Sequence, residues 1–122
     1  MFDLAHTLGN LKLVPVVGIP SVESALKLSE ILLRCRLPVV EITFRTSSAA
    51  EGIAAISRNY PEMHVLAGTV LSTLQAQQAC DSGCRAIVSP GFSLKIAEYC
   101  KRGNLPYLPG VCTPTEIHTA LD

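Results

Sequence analysis

The chain has 122 residues, enough for one ordinary domain, and 48% of them are hydrophobic with a mean hydropathy of +0.36, which excludes a disordered segment. Ten Lys and Arg balance ten Asp and Glu with no basic block, which excludes an electrostatic grip on nucleic acid or on an anionic membrane. No apolar run is long enough to span a bilayer, and Met1-Phe2-Asp3-Leu4 lacks the basic and apolar regions of a signal peptide, so the expectation is a cytoplasmic protein.

Residues 1–11 read as a short amphipathic lead-in covering one end of the fold. The apolar run Leu13 to Ile19, ended by Pro20, predicts a buried strand. Ser21 opens a helix whose stripe is Ala25, Leu28, Leu32 and Cys35. Pro38 separates it from a second strand, 38–46, rich in β-branched and aromatic residues. Ser48 and Glu51 have capping-box spacing and lead a helix with Ile53, Ala54 and Ile56 on its apolar side, ended by Pro61. A third strand runs from His64 to Val70. Ser72 and Gln75 form a second capping-box pattern before a helix that stops near Gly83. A fourth strand covers 86–91, and Ser93 starts a helix ending near Gly103. A fifth strand covers 106–111. Thr113-Pro114-Thr115-Glu116 joins a capping box to a first-turn proline, a strong helix start.

This is a βα alternation repeated five times. Near-continuous apolar strands joined by helices belong to a parallel sheet covered on both faces. Strand ends recur at intervals of 25, 26, 21 and 20 residues. Eight units of that size need roughly 185 residues, close to the lower end of the (β/α)8 TIM-barrel range. A five-stranded doubly wound sheet also fits the length, but no Gly-rich phosphate loop follows the first strand. The expected fold is α/β: an N-terminal part, about five units, of a single parallel barrel domain, residues 1–122. The chain stops within a fresh helix at Asp122, which reads as a fragment or truncation.

Barrel active sites lie at the carboxyl ends of the strands. Glu41, Thr43 and Arg45 share one strand face there, by alternation. Polar groups in a barrel interior need a reason, because branched apolar side chains normally fill it. The backbones of Glu41 and Arg45 stand roughly 13 Å apart at 3.3 Å per residue, so a gap for a small polar ligand is as reasonable as an ion pair. Arg45 suits a carboxylate or phosphate, and Thr69 beside Gly68 offers a hydroxyl and a nearby amide. A desolvated Glu41 carboxyl suits general acid–base work. Ser89 and Pro90 are further candidates to line the pocket. The competing reading for Glu41 and Arg45 is a structural network or an exposed edge. His64, at the amino end of its strand, and His118, in the last helix, are poor catalytic candidates.

The five cysteines (Cys35, Cys80, Cys84, Cys100 and Cys112) predict reduced, core-filling thiols, with Cys80 and Cys84 on one helix face. No Cys-x-x-Cys or nearby His completes a metal site, so no metal is expected.

Four motifs, in order and correctly spaced, carry a family likeness: Val-Glu-Ile-Thr-Phe-Arg-Thr (40–46), Ala-Gly-Thr-Val (67–70), Ile-Val-Ser-Pro-Gly (87–91) and Tyr-Leu-Pro-Gly-Val (107–111). With Val-Pro-Val-Val (14–17), they resemble the 2-keto-3-deoxy-6-phosphogluconate and 4-hydroxy-2-oxoglutarate aldolases from about residue 10 onward. The resemblance implies a class I, Schiff-base lyase on a TIM barrel, usually a homotrimer, with no metal or cofactor. It implies a 2-keto-4-hydroxy acid substrate, phosphorylated or not, split into pyruvate and an aldehyde. By motif position it makes Glu41 the proton-shuttling carboxylate, with Arg45 and Thr69 holding the pyruvyl carboxylate. The family's nucleophilic lysine, in a Lys-Phe-Phe-Pro-like motif, and its phosphate grip have no match here. None of Lys12, Lys27, Lys95 and Lys101 lies at the carboxyl end of a strand. Two other readings stay open: a different barrel enzyme using Glu41 with another partner, and a non-catalytic half-barrel binding or assembly module.

Overall fold

The computed structural model describes residues 3–122. Eleven elements follow in order: α1 (Leu4–Leu11), β1 (Val16–Val17), α2 (Val22–Arg34), β2 (Val39–Thr43), α3 (Ala49–Asn59), β3 (His64–Gly68), α4 (Thr73–Asp81), β4 (Ala86–Ser89), α5 (Leu94–Arg102), β5 (Tyr107–Pro109) and α6 (Pro114–Leu121). All strand pairs are parallel, and the sheet order is β1-β2-β3-β4-β5. Sequential order decides against the doubly wound sheet, whose first strand sits inside the sheet and whose winding reverses. Five consecutive βα units winding one way are the expected N-terminal barrel pattern. Met1 and Phe2 of the lead-in lie outside the described residues.

The strands are shorter than their apolar runs. Pro15 cannot donate to the ladder, so β1 keeps only Val16 and Val17, while the Pro15 carbonyl accepts from the Glu41 amide at 2.8 Å. The second strand, expected over 38–46, ends at Thr43, and Phe44, Arg45 and Thr46 form a turn.

The two sheet faces carry different loads. Val40, Ile42, Val65, Ala67 and Ile87 join the main core, which packs against Ala25, Ile53, Ile56, Ala76, Ala79 and Ile96 from the helices. The opposite face carries Val39, Leu66 and Ala86, buried outside that core, together with Glu41 and Thr43. Among the described residues the one ion pair is the exposed His118–Asp122 contact at 3.9 Å, so apolar burial dominates stability.

Helix starts follow local chemistry with two exceptions, Ser48 and Ser93, neither of which makes a side-chain cap bond. Ser21, Ser72 and Thr113 accept the amides of Ser24, Gln75 and Glu116, and the Thr113 capping box is complete. Ser48 does not cap α3: its backbone is already helical, and its hydroxyl instead donates to the Pro20 carbonyl at 3.2 Å. At their C-termini α2, α4 and α5 close alike, through paired bonds that put Arg36, Gly83 and Asn104 in left-handed backbone, φ +58°, +90° and +49°. On α3 the buried alanines are Ala49 and Ala55, while Ala54 is half-buried.

The cysteine expectation holds for two residues of five. Cys84 and Cys100 are buried, and burial pushes their thiols up to about 12 and about 11, which keeps them protonated. Cys35, Cys80 and Cys112 are exposed. Cys35 caps the end of α2, beyond the stripe that Ala25 and Leu32 bury. Cys84 lies past the end of α4, so it shares no helix face with Cys80. All five are free thiols.

Candidate active site

The site forms where β2 and β3 end. Glu41 stands opposite Leu66, and Thr43 opposite Gly68, on the face turned away from the helices. The Glu41 side chain reaches along β2 and over β3. A Cβ built on Gly68 would lie 2.7 Å from both Cγ and Cδ of Glu41, and nearer still to Oε1. The carboxyl is half-buried, and that desolvation raises its pKa above the ordinary glutamate value; the Arg45 charge opposes the rise. Neither side chain forms an ion pair with the other. Among the described residues no hydrogen bond reaches the Glu41 carboxylate, the Arg45 guanidinium or the Thr69 hydroxyl. Three polar groups thus stand at one sheet end with bonding capacity unused.

Arg45 is exposed, on a turn held by hydroxyls. Thr43, Thr46 and Ser48 donate to the carbonyls of Val17, Ile19 and Pro20 at 3.3, 2.8 and 3.2 Å. These three bonds sew the turn after β2 to the turn after β1 and fix the base from which Arg45 extends. Thr43 is therefore engaged, with its side chain buried. The stitching by Thr46 and Ser48 was not readable beforehand, because nothing local marks a hydroxyl whose acceptor lies 27 or 28 residues away.

Thr69 is the backbone outlier. Its φ is +56°, and unlike Lys12, Arg36 and Asn104 it closes no helix. A β-branched residue in left-handed backbone is strained by about 1–2 kcal/mol. The ladder fixes it from both sides: Phe44 donates to the Gly68 carbonyl at 2.8 Å, and Val70 to the Val88 carbonyl at 3.1 Å. Strain of this kind gathers at ligand clamps. Thr69→Gly should raise unfolding stability in urea by about 1 kcal/mol. A loss of stability would mean that the threonine side chain is held for packing instead.

The remaining candidates lie elsewhere. Ser89 shares the helix-side face with Ile87, is buried, and bonds the Gly91 carbonyl at 2.7 Å and the Tyr107 hydroxyl at 2.6 Å. Pro90 is exposed, with its carbonyl carbon 2.8 Å from where a Cβ of Gly110 would sit. His64 opens β3 at the amino end, and His118 lies on α6. Among the described residues no group of three or more His, Cys, Asp or Glu could hold a metal ion, and no helix is long and apolar enough to cross a membrane.

A family model of KDPG and KHG aldolases matches residues 4–122. The chain belongs to the KDPG and KHG aldolase family. A 2-dehydro-3-deoxy-phosphogluconate aldolase of Treponema pallidum is 38% identical over all 122 residues, which span 58% of that relative. Among solved KDPG aldolases, that of Zymomonas mobilis ATCC 29191 superposes with a TM-score of 0.88 at 31% identity, covering 99% of this chain and 58% of the other. The Legionella pneumophila KDPG aldolase, captured with pyruvate as a covalent carbinolamine, gives 0.84 at 30% identity, covering 88% and 52%. The chain therefore spans somewhat over half the length of these KDPG aldolases.

Proposed function

We propose that residues 1–122 supply the carboxylate-gripping and proton-moving part of a Schiff-base aldolase that splits a 2-keto-4-hydroxy acid into pyruvate and an aldehyde. The observation that carries this reading is the convergence of Glu41, Arg45 and strained Thr69, all without internal hydrogen-bond partners, on the carboxyl end of β2 and β3. In this reading Arg45 takes the pyruvyl carboxylate with two N–H donors, and Thr69 adds its hydroxyl. Glu41, whose pKa desolvation raises, carries protons during imine dehydration and aldehyde release. The reaction also needs a lysine amine. That amine adds to the keto carbon and loses water, and the protonated imine accepts the electron pair of the breaking C3–C4 bond. No lysine of this chain lies on a strand: Lys12 caps α1, Lys27 lies on α2, and Lys95 and Lys101 lie on α5. The assembly in this reading is a cytoplasmic homotrimer.

Residues 1–122 alone should bind pyruvate without turning over the keto acid. Purified chain of confirmed mass should release no pyruvate above background from 2-keto-3-deoxy-6-phosphogluconate. Added pyruvate should shift the amide signals of Arg45 and Thr69. Pyruvate release would overturn the assignment of the nucleophile. Unmoved Arg45 and Thr69 signals at saturating pyruvate would overturn the binding roles.

A further inference from the structure

We propose that Gly68 is a positioning residue for the proposed reaction: the space left by its missing side chain is the seat of the Glu41 carboxylate. This rests on Glu41 being the proton carrier. Glycine is commonly needed where the backbone turns left-handed, but Gly68 is not such a case. Among the described residues the one glycine with a positive φ is Gly83, and Gly68 occupies a regular position on β3 opposite Thr43. Its backbone would accept an ordinary L-residue. In a strand interior glycine is a cost, with no side chain to pack and more freedom to lose. Space accounts for its presence. Any Cβ there would stand 2.7 Å from Cγ and Cδ of Glu41 and closer to Oε1, well inside contact distance.

The rest of the seat is equally definite. Leu66, opposite Glu41, is 2% exposed, and Thr43 is held by its bond to the Val17 carbonyl. Both side chains are fixed on the side of the face that borders β3, and the Glu41 side chain lies between them, over Gly68. There the carboxyl is half-shielded from water and near enough to Arg45 to feel its charge without pairing with it. A methyl on Gly68 would drive the carboxyl off the strand, toward water and toward Arg45. Both changes favour the ionised form. The glycine therefore sets where the proton carrier stands and how readily it holds its proton, without touching the substrate.

The test is a carbon-13 titration of the Glu41 carboxyl in the 122-residue chain, with and without Gly68→Ala. The wild-type midpoint should lie above that of a solvent-exposed glutamate, and Gly68→Ala should bring it down to that reference. A folded Gly68→Ala chain whose Glu41 midpoint stays at the wild-type value overturns the proposal. If Gly68→Ala fails to fold, the E41A/G68A double variant decides. Recovery of folding supports a steric seat, and continued failure overturns it. No turnover is measured, so a loss of the aldolase reading through unmoved Arg45 and Thr69 signals would be seen separately.

Discussion

Glu41→Gln should lower the rate constant for pyruvate release by about 10²–10⁴-fold, the usual worth of a positioned general acid–base group. The protein to measure is a chimera joining residues 1–122 to the remainder of the Treponema pallidum relative, which supplies the length this chain does not span. Glutamine keeps the shape of the side chain and its fit over Gly68 but cannot exchange protons, so KM should change far less than kcat. A loss of less than threefold would remove Glu41 from proton transfer. The same substitution has a stability signature in the 122-residue chain. The folded Glu41 carboxyl has a raised pKa, so in the window above the unfolded value the native chain holds a proton that the unfolded chain has released. Stability must then fall as pH rises from the ordinary glutamate range through the raised folded value. Glu41→Gln should flatten that slope and raise the melting temperature at pH 7, though exposure and solvent screening keep the gain small. A melting temperature that falls instead would mean that the ionised carboxylate is structurally supported.

Ile42→Ala, one residue along, should destabilise the chain by about 2–5 kcal/mol in urea unfolding. Ile42 is 0% exposed and belongs to the core between sheet and helices, so its truncation removes buried apolar surface and leaves a cavity in close-packed surroundings. That is a large share of a typical domain stability of about 5–15 kcal/mol. Val16→Ala makes the control. Val16 lies on the opposite face and is 59% exposed, so its loss should cost under about 0.5 kcal/mol. Near-equal effects of the two substitutions would contradict the division of labour between the sheet faces. With that division, one face of β2 sets Ile42 in the main core, while the other carries Glu41 and Thr43.

The alternation of strands and helices was legible because each strand is an apolar run bounded by Pro or Gly and each helix has an apolar stripe. These are local patterns, set by repeats of two and 3.6 residues. Thr113 and Glu116 were legible for the same reason: both halves of the box lie within four residues. Ser48 and Glu51 have identical spacing and failed, because the Pro20 carbonyl, 28 residues away, competes for the serine hydroxyl. Glu41 and Arg45 stood out as charges on an otherwise apolar strand. What they do to each other, the strain at Thr69 and the seat over Gly68 depend on how β2 and β3 lie side by side, and no window within either strand encodes that. The cysteines misled in part because burial was inferred from residue type, while Cys35 and Cys80 sit at helix positions that face water.

The one-way strand order also bears on how the chain reaches this structure. Each strand pairs with the one just made, Val16 with Glu41, Val39 with His64, Leu66 with Ala86 and Ile87 with Tyr107. Every loop to be closed is thus of similar, modest length, and the closure entropy is met in small equal steps rather than one long search. A unit can dock on its predecessor as soon as it leaves the ribosome, without waiting for residues still to be translated.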